Sequence, residues 1–240
     1  MGRAFREIGV ESSGRSDILY RWVYYNSRTL GTQPTRPEGR PSQEEALMGR
    51  TQEFDTVAVV QAARDVFWDR GYEATSLADL EAATGLRRSS LYHAFDSKRG
   101  LFDAAVQDYL DTVIRPRLSV LARATDGRAG LTTYFSGVQT VIATLPDDSP
   151  RRGCLLLNSA AGLAAHDDAL REVVDGYRAE LTTAVSDALA LARPEADADE
   201  LAAAARQLTS LSVSALLLAR VNREEAVAIL DVAIAQVGSW

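Results

Sequence analysis

At 240 residues and 46% hydrophobic content, the chain is long enough for one large or two small domains and apolar enough for a packed core. Its one cysteine, Cys154, excludes an intramolecular disulfide framework and a multi-cysteine metal site, and two histidines leave little for zinc, so neither metal nor cofactor is expected. A net charge of −7 weighs against nonspecific nucleic-acid binding, and the absence of an uncharged membrane-length apolar run or a signal-peptide block predicts a soluble, cytoplasmic protein without a membrane partner.

Residues 1–47 are rich in Gly, Ser, Pro and Arg, and TQPTRPEGRPSQEE reads as a linker, so this extension is expected to be disordered. Met48 opens MGRTQEFDT, a short basic arm, and is a candidate translation start; Arg50 in that arm is placed to reach a minor groove or a phosphate. A helix is predicted from about Asp55 to Arg70, with Val59, Val60, Ala63, Val66 and Phe67 at helical spacing and Gly71 as a left-handed terminator. Trp68 and Tyr72 read as packing residues.

The next stretch, TSLADLEAATGLRRSSLYHAFDSK, carries the most information. Ser76 and Asp79 have the spacing of a capping box, Leu77 and Leu80 face inward, and Gly85 permits a sharp turn. A second helix follows, in which Leu91 and Phe95 pack inward while Ser89, Tyr92 and His93 share the opposite face. Arg87 and Arg88 stand at its first turn. This is a helix-turn-helix, whose second helix enters the major groove by its N-terminal part, where arginine grips guanine edges or phosphates and hydroxyls reach either. Lys98, the chain's only lysine, makes a local basic edge with Arg87, Arg88 and Arg99.

The ordered features Gly71-Tyr72, Thr75-Ser76, Gly85-Leu86, Leu91-Tyr92, Phe95 and Ser97-Lys98 resemble the N-terminal domain of the TetR family of bacterial transcriptional regulators. The resemblance implies DNA contacts from Arg50, Thr75, Ser76, Arg87, Arg88, Ser89, Ser90, Tyr92, His93 and Lys98. Two positions depart from the family's pattern: Arg87 stands where a small hydroxyl residue often caps the second helix, and Glu81 replaces a small or apolar residue. Their opposite charges suggest a salt bridge across the turn, which would withdraw Arg87 from DNA.

A further helix opens at Ser97 and runs through Leu101, Phe102, Val106 and Leu110 to about Ile114, where Pro116 breaks or kinks it. The remainder shows no strand-like alternation, and helices are predicted near 128–144, 153–165, 168–192, 195–220 and 223–237. The last two are more apolar than one small subunit buries alone, and could pair with a partner's to make a four-helix interface, as in TetR-like dimers. The fold class is therefore all-α, with a disordered extension (1–47), a three-helix DNA-binding domain (48–100) and a helical-bundle regulatory and dimerisation domain (101–240).

In PRRGCLLLNSAAGLAAHDD, Cys154 follows Arg151, Arg152 and Gly153 at a helix start, a setting that favours thiolate, while three following leucines suit a buried thiol instead. The segment is similar to a branch of TetR-like regulators with a Gly-Cys-Leu opening, some of which respond to electrophiles or oxidants. Gly162 stands where that branch often has an acid. Tyr134, Phe135, Gln139, Asn158 and His166 are pocket candidates, His166 also suiting a helix-to-helix turn, and the expected effector is largely apolar. Nucleophile elbows, phosphate loops and HExxH pairs are absent, so no enzyme is indicated. The sequence reads as a homodimeric repressor binding a pseudo-palindromic double-stranded operator under control of a small molecule or electrophile. The alternative is a helical dimeric interaction or ligand-binding protein without specific DNA binding.

Overall fold

The computed structural model describes residues 54–160 and 162–240. Arg50, the extension 1–47 and the Met48 start therefore lie outside the described residues. All regular elements among those described are helical, in the order α1 (Thr56–Ala74), α2 (Leu77–Thr84), α3 (Arg88–Phe95), α4 (Lys98–Tyr109), a π turn (Leu110–Ile114), α5 (Arg115–Ala122), α6 (Gly127–Thr144), α7 (Leu155–Ala160), a 3-10 turn (Leu163–Ala165), α8 (Asp168–Ala192), α9 (Ala198–Leu218) and α10 (Arg223–Gly238).

Helix starts are set locally, because the first amides of a helix need acceptors that the helix itself cannot supply. Asp55, Ser76, Ser97, Asp126, Asp167, Asp197 and Asn222 each accept from the backbone two or three residues on. Helix α1 holds Val59, Val60, Ala63, Phe67 and Trp68 buried, packs on α2 and α4, and turns at Gly71 with φ 75° before ending at Ala74. An aromatic cluster joins these elements. Phe67 meets Phe102 edge-on at 5.1 Å, and Trp68 meets Tyr109 edge-on at 4.7 Å.

Pro116 does not stop the chain's helical course. It has no N–H to return to Thr112, and the ladder adjusts by one π turn in which the Arg115 N–H reaches back to the Leu110 carbonyl. Helix continues as α5, with the proline in its first turn. The predicted helix 153–165 is also divided, into α7 and the 3-10 turn.

In the body, α6 lies against α8 and α10, and α9 packs on α8 and α10, around Leu131, Phe135, Leu181, Leu208, Leu216 and Leu230. Contrary to the sequence expectation, Ala198–Leu218 is long and apolar enough to cross a membrane. Its mean hydropathy comes from its leucines and alanines, and Ala205, Leu208, Ser212 and Ala215 are buried in the bundle.

Head and body are tied by arginines. Arg64 of α1 donates to Asp108 at 2.6 Å and to the Thr112 hydroxyl at 3.1 Å. Arg151 pairs with Asp65 at 2.7 Å, and Arg99 pairs with Asp167, the N-cap of α8. Arg220, just past α9, donates to the carbonyls of Trp68 (2.8 Å) and Asp69 (2.6 Å) near the turn at Gly71 in α1.

Candidate nucleic-acid interface

The sharp turn before the reading helix is built by Gly85, whose φ of 70° and ψ of 3° lie in the left-handed region open to glycine. Before it, Ser76 and Asp79 form a complete capping box, and Arg70 adds an ion pair to Asp79. Hydrogen bonds from the Ser76 side chain and backbone, with Arg70 in support, hold the Asp79 carboxyl below its ordinary range.

Helix α3 has no side-chain cap of its own, because Arg87 at the N-cap position carries only donors. Glu81 supplies the missing acceptor from α2: its Oε1 receives the Arg88 backbone N–H at 2.6 Å. This corrects the expected Glu81–Arg87 salt bridge. The carboxylate serves the helix backbone, and the Arg87 side chain stays exposed. The two departures from the family pattern are thus one compensating pair, which a reading of either residue alone misses. Glu81→Ala is expected to lower stability by about 0.5–2 kcal/mol, and Glu81→Ala/Arg87→Ser to regain part of it by restoring a local hydroxyl cap. Urea unfolding measures both, and an unaltered single variant would remove Glu81 from this role.

On α3, Leu91, Ala94 and Phe95 are buried against the head while Arg87, Arg88, Ser89, Tyr92 and His93 are exposed. The Arg88 guanidinium lies 5.3 Å from the centroid of the Tyr92 ring, one turn on, a contact that limits its wandering. Ser90 is half-buried. Ser76 is exposed, but its hydroxyl donates to Asp79 at 2.6 Å. Thr75 departs from expectation more strongly. It is 1% exposed and its hydroxyl donates to the Gly71 carbonyl at 2.6 Å, so its side chain closes the end of α1 instead of facing outward. Lys98 is half-buried with Nζ 4.4 Å from the Tyr72 ring centroid, and partial burial lowers its pKa against the opposing pull of Glu73. Arg99 leaves the basic edge for Asp103 and Asp167.

In the body, the thiolate setting read for Cys154 is overturned. The side chain is 0% exposed, and burial pushes the thiol pKa up despite the adjacent helix start and the field of Arg117. Arg151, expected to help, is turned to Asp65. The Tyr109 hydroxyl, also buried, stands beside the thiol, and burial, with the thiol's proximity in support, raises its pKa too. Folded protein is accordingly expected to react with Ellman's reagent at least tenfold more slowly than urea-unfolded protein; equal rates would show an accessible thiol.

The other pocket candidates are engaged in structure. Tyr134 is 2% exposed and its hydroxyl bonds Ser212 at 3.2 Å, Phe135 is core, and Gln139 reaches Asp231 at 2.6 Å across to α10. Asn158 braces the Arg152 carbonyl at 3.4 Å, and His166 is an exposed residue closing the 3-10 turn. None of them lines the cavity of about 180 Å³ that opens between α1, α5, α6 and the loop at Gly153.

A sequence profile of the family described as bacterial regulatory proteins, tetR family, matches residues 59–105. An uncharacterised helix-turn-helix-type transcriptional regulator, YezE of Bacillus subtilis, is 30% identical over 181 residues, spanning 74% of this chain and 92% of that protein. The transcriptional repressor BdcR of Escherichia coli is 26% identical over 147 residues, or 61% of this chain and 72% of the repressor. Among solved structures, a cysteine-substituted form of the TetR family regulator CifR in complex with 26-base-pair operator DNA superposes with a TM-score of 0.67 at 31% identity, covering 78% of this chain and 98% of CifR.

Proposed function

The chain belongs to the TetR family of bacterial regulatory proteins and is a DNA-binding transcriptional regulator, and we propose that it is a repressor reading a pseudo-palindromic operator as a homodimer. The observation that carries this reading is α3 itself. Its N-terminal turn is capped from behind by Glu81, which leaves Arg87 and Arg88 exposed together beside Ser89, Tyr92 and His93. Arg88 is the principal base reader, Arg87 and Lys98 meet phosphates, and Ser89 and Tyr92 add hydroxyl contacts. The head comprises residues 48–100 and the body 101–240, and the working compartment is the cytoplasm, where the DNA lies.

Two copies associate through α9 and α10, which leave Leu217 at 46% and Val232 at 56% exposure in the single chain, with Val221 at 82% in the turn between them. Two heads on a twofold axis read two half-sites at a spacing that the body fixes. An effector that favours a body geometry with misplaced heads weakens binding by its differential affinity for the two states. The alternative of an interaction protein without specific DNA reading rested on the acidic balance and on Glu81, and Glu81 is accounted for as the cap of α3.

The test is salt-dependent binding to the intergenic DNA beside the protein's own gene, with a random-sequence selection in parallel. Specific binding that weakens steeply as salt rises supports the reading. Equal weak binding to every DNA, with no sequence enriched by the selection, overturns it.

A further inference from the structure

We infer that the cavity at the joint between head and body binds a small organic carboxylate with an apolar tail, and that such an acid is the regulatory ligand. The inference rests on the regulator reading above. The cavity holds about 180 Å³, below the roughly 300–1,000 Å³ of drug-sized sites. Its lining combines apolar residues, among them Val138 and Ile142 of α6 and Leu216 of α9, with Arg64, Arg117, Arg151, Arg152 and Trp68.

The polar lining is incompletely satisfied. Arg64 and Arg151 are held by Asp65 and Asp108. Neither Arg117 nor Arg152 has a carboxylate partner among the described residues, and the Arg152 Nε is buried without an acceptor. Trp68 is 5% exposed and its indole N–H has no acceptor either. Buried donors without partners are rare in folded proteins and are costly to leave so, most of all when charged. A carboxylate, with two oxygens and about four lone-pair directions, has acceptors enough for all three groups, which line the one cavity, and a charge for the two guanidinia. The apolar lining residues select an acid with a hydrocarbon body over a bare inorganic anion.

The site is placed to act on the reading head. Trp68 belongs to α1, and its carbonyl is gripped by Arg220 at the end of α9. Arg151, next to Arg152 in the same loop, holds Asp65 of α1. Gly153 confines that loop, since a Cβ there would stand 2.8 Å from the Leu216 carbonyl and its φ of 75° disfavours any side chain. An acid drawing Arg152 and the indole together pulls on α1 through two of the links that hold it to the body.

The experiment titrates the full chain by calorimetry with benzoate and hexanoate, each against its neutral amide, and with inorganic phosphate, and measures operator binding in the presence of each. We expect at least one acid to bind and to change operator affinity. Its amide should bind about tenfold or more weakly, and Arg152→Gln and Arg117→Gln should each cost the acid about tenfold or more. Thermal unfolding of each variant checks that it is folded, and Trp68→Phe, which removes the indole N–H donor along with part of the ring, should also weaken the acid. Equal binding of acid and amide, phosphate binding as tightly as the acid, unaltered acid affinity in all three variants, or no acid bound at millimolar concentration overturns the inference. Loss of operator binding without any ligand would instead count against the regulator reading, because calorimetry reads the cavity independently of DNA.

Discussion

Arg88→Ala protein is expected to hold its operator about 2–6 kcal/mol more weakly than the unaltered protein, since a bidentate base contact discriminates by about 1–3 kcal/mol and a dimer has two heads. The geometry makes Arg88 the residue of choice. It stands on the first turn of α3, exposed, with its backbone N–H tied to Glu81 and its guanidinium against the Tyr92 ring. On the proposed reading its loss removes a directed base contact, so the preference at one base pair of each half-site should relax in a random-sequence selection. Lys98→Ala, by contrast, should weaken all sequences alike and reduce the salt slope by about one per head. An Arg88→Ala protein with undiminished affinity and an unaltered consensus would move base reading elsewhere on the helix.

Arg64→Met is expected to cost about 3–5 kcal/mol of folding stability, the range for breaking a buried ion pair by removing one partner. Arg64 is 6% exposed and bonds Asp108 at 2.6 Å, Thr112 at 3.1 Å and Asp65 at 3.1 Å. Methionine fills the space of its stem but leaves Asp108 enclosed with no cation. Asp65 keeps Arg151, so the damage centres on the α1–α4 contact. Arg64→Met/Asp108→Leu should recover much of the loss, and urea denaturation of the four proteins of this cycle measures the coupling directly. A single-variant cost under about 1 kcal/mol would mean that water, not Arg64, satisfies Asp108.

The helices and most of their starts were legible in the amino-acid sequence because the causes are local. Ser76 with Asp79 and Ser97 cap the helices they precede, and Gly85 makes the turn that a helix-turn-helix requires. The face of α3 followed from its spacing, which buries Leu91 and Phe95 and exposes Ser89, Tyr92 and His93. Pro116 is legible as a break or a kink, and the structure takes the milder of the two, a π turn in a continuing helix. Whether a proline stops a helix or is absorbed by a π turn depends on how firmly the flanking segments are held, and here Arg64 holds Thr112 and Asp108 just before it.

Side-chain partners are decided by packing that no local pattern encodes. Glu81 and Arg87 are near in sequence and opposite in charge, yet the carboxylate chose the bare backbone amide of Arg88, because a helix start without an acceptor is the stronger local demand. Cys154 follows two arginines and opens a helix, yet it is enclosed by the bundle, and desolvation outweighs both local effects. Thr75 and Arg99 have the residue types of DNA contacts, but one hydroxyl closes on Gly71 and one guanidinium reaches Asp167 in the body. The sequence by itself determined the helices, their caps and the exposed reading face, since these depend on neighbours within one or two turns. Only the tertiary structure decided which arginines are paired and which stand beside the cavity with no carboxylate partner among the described residues, since those partners lie tens of residues apart and meet only when α1 docks on the body.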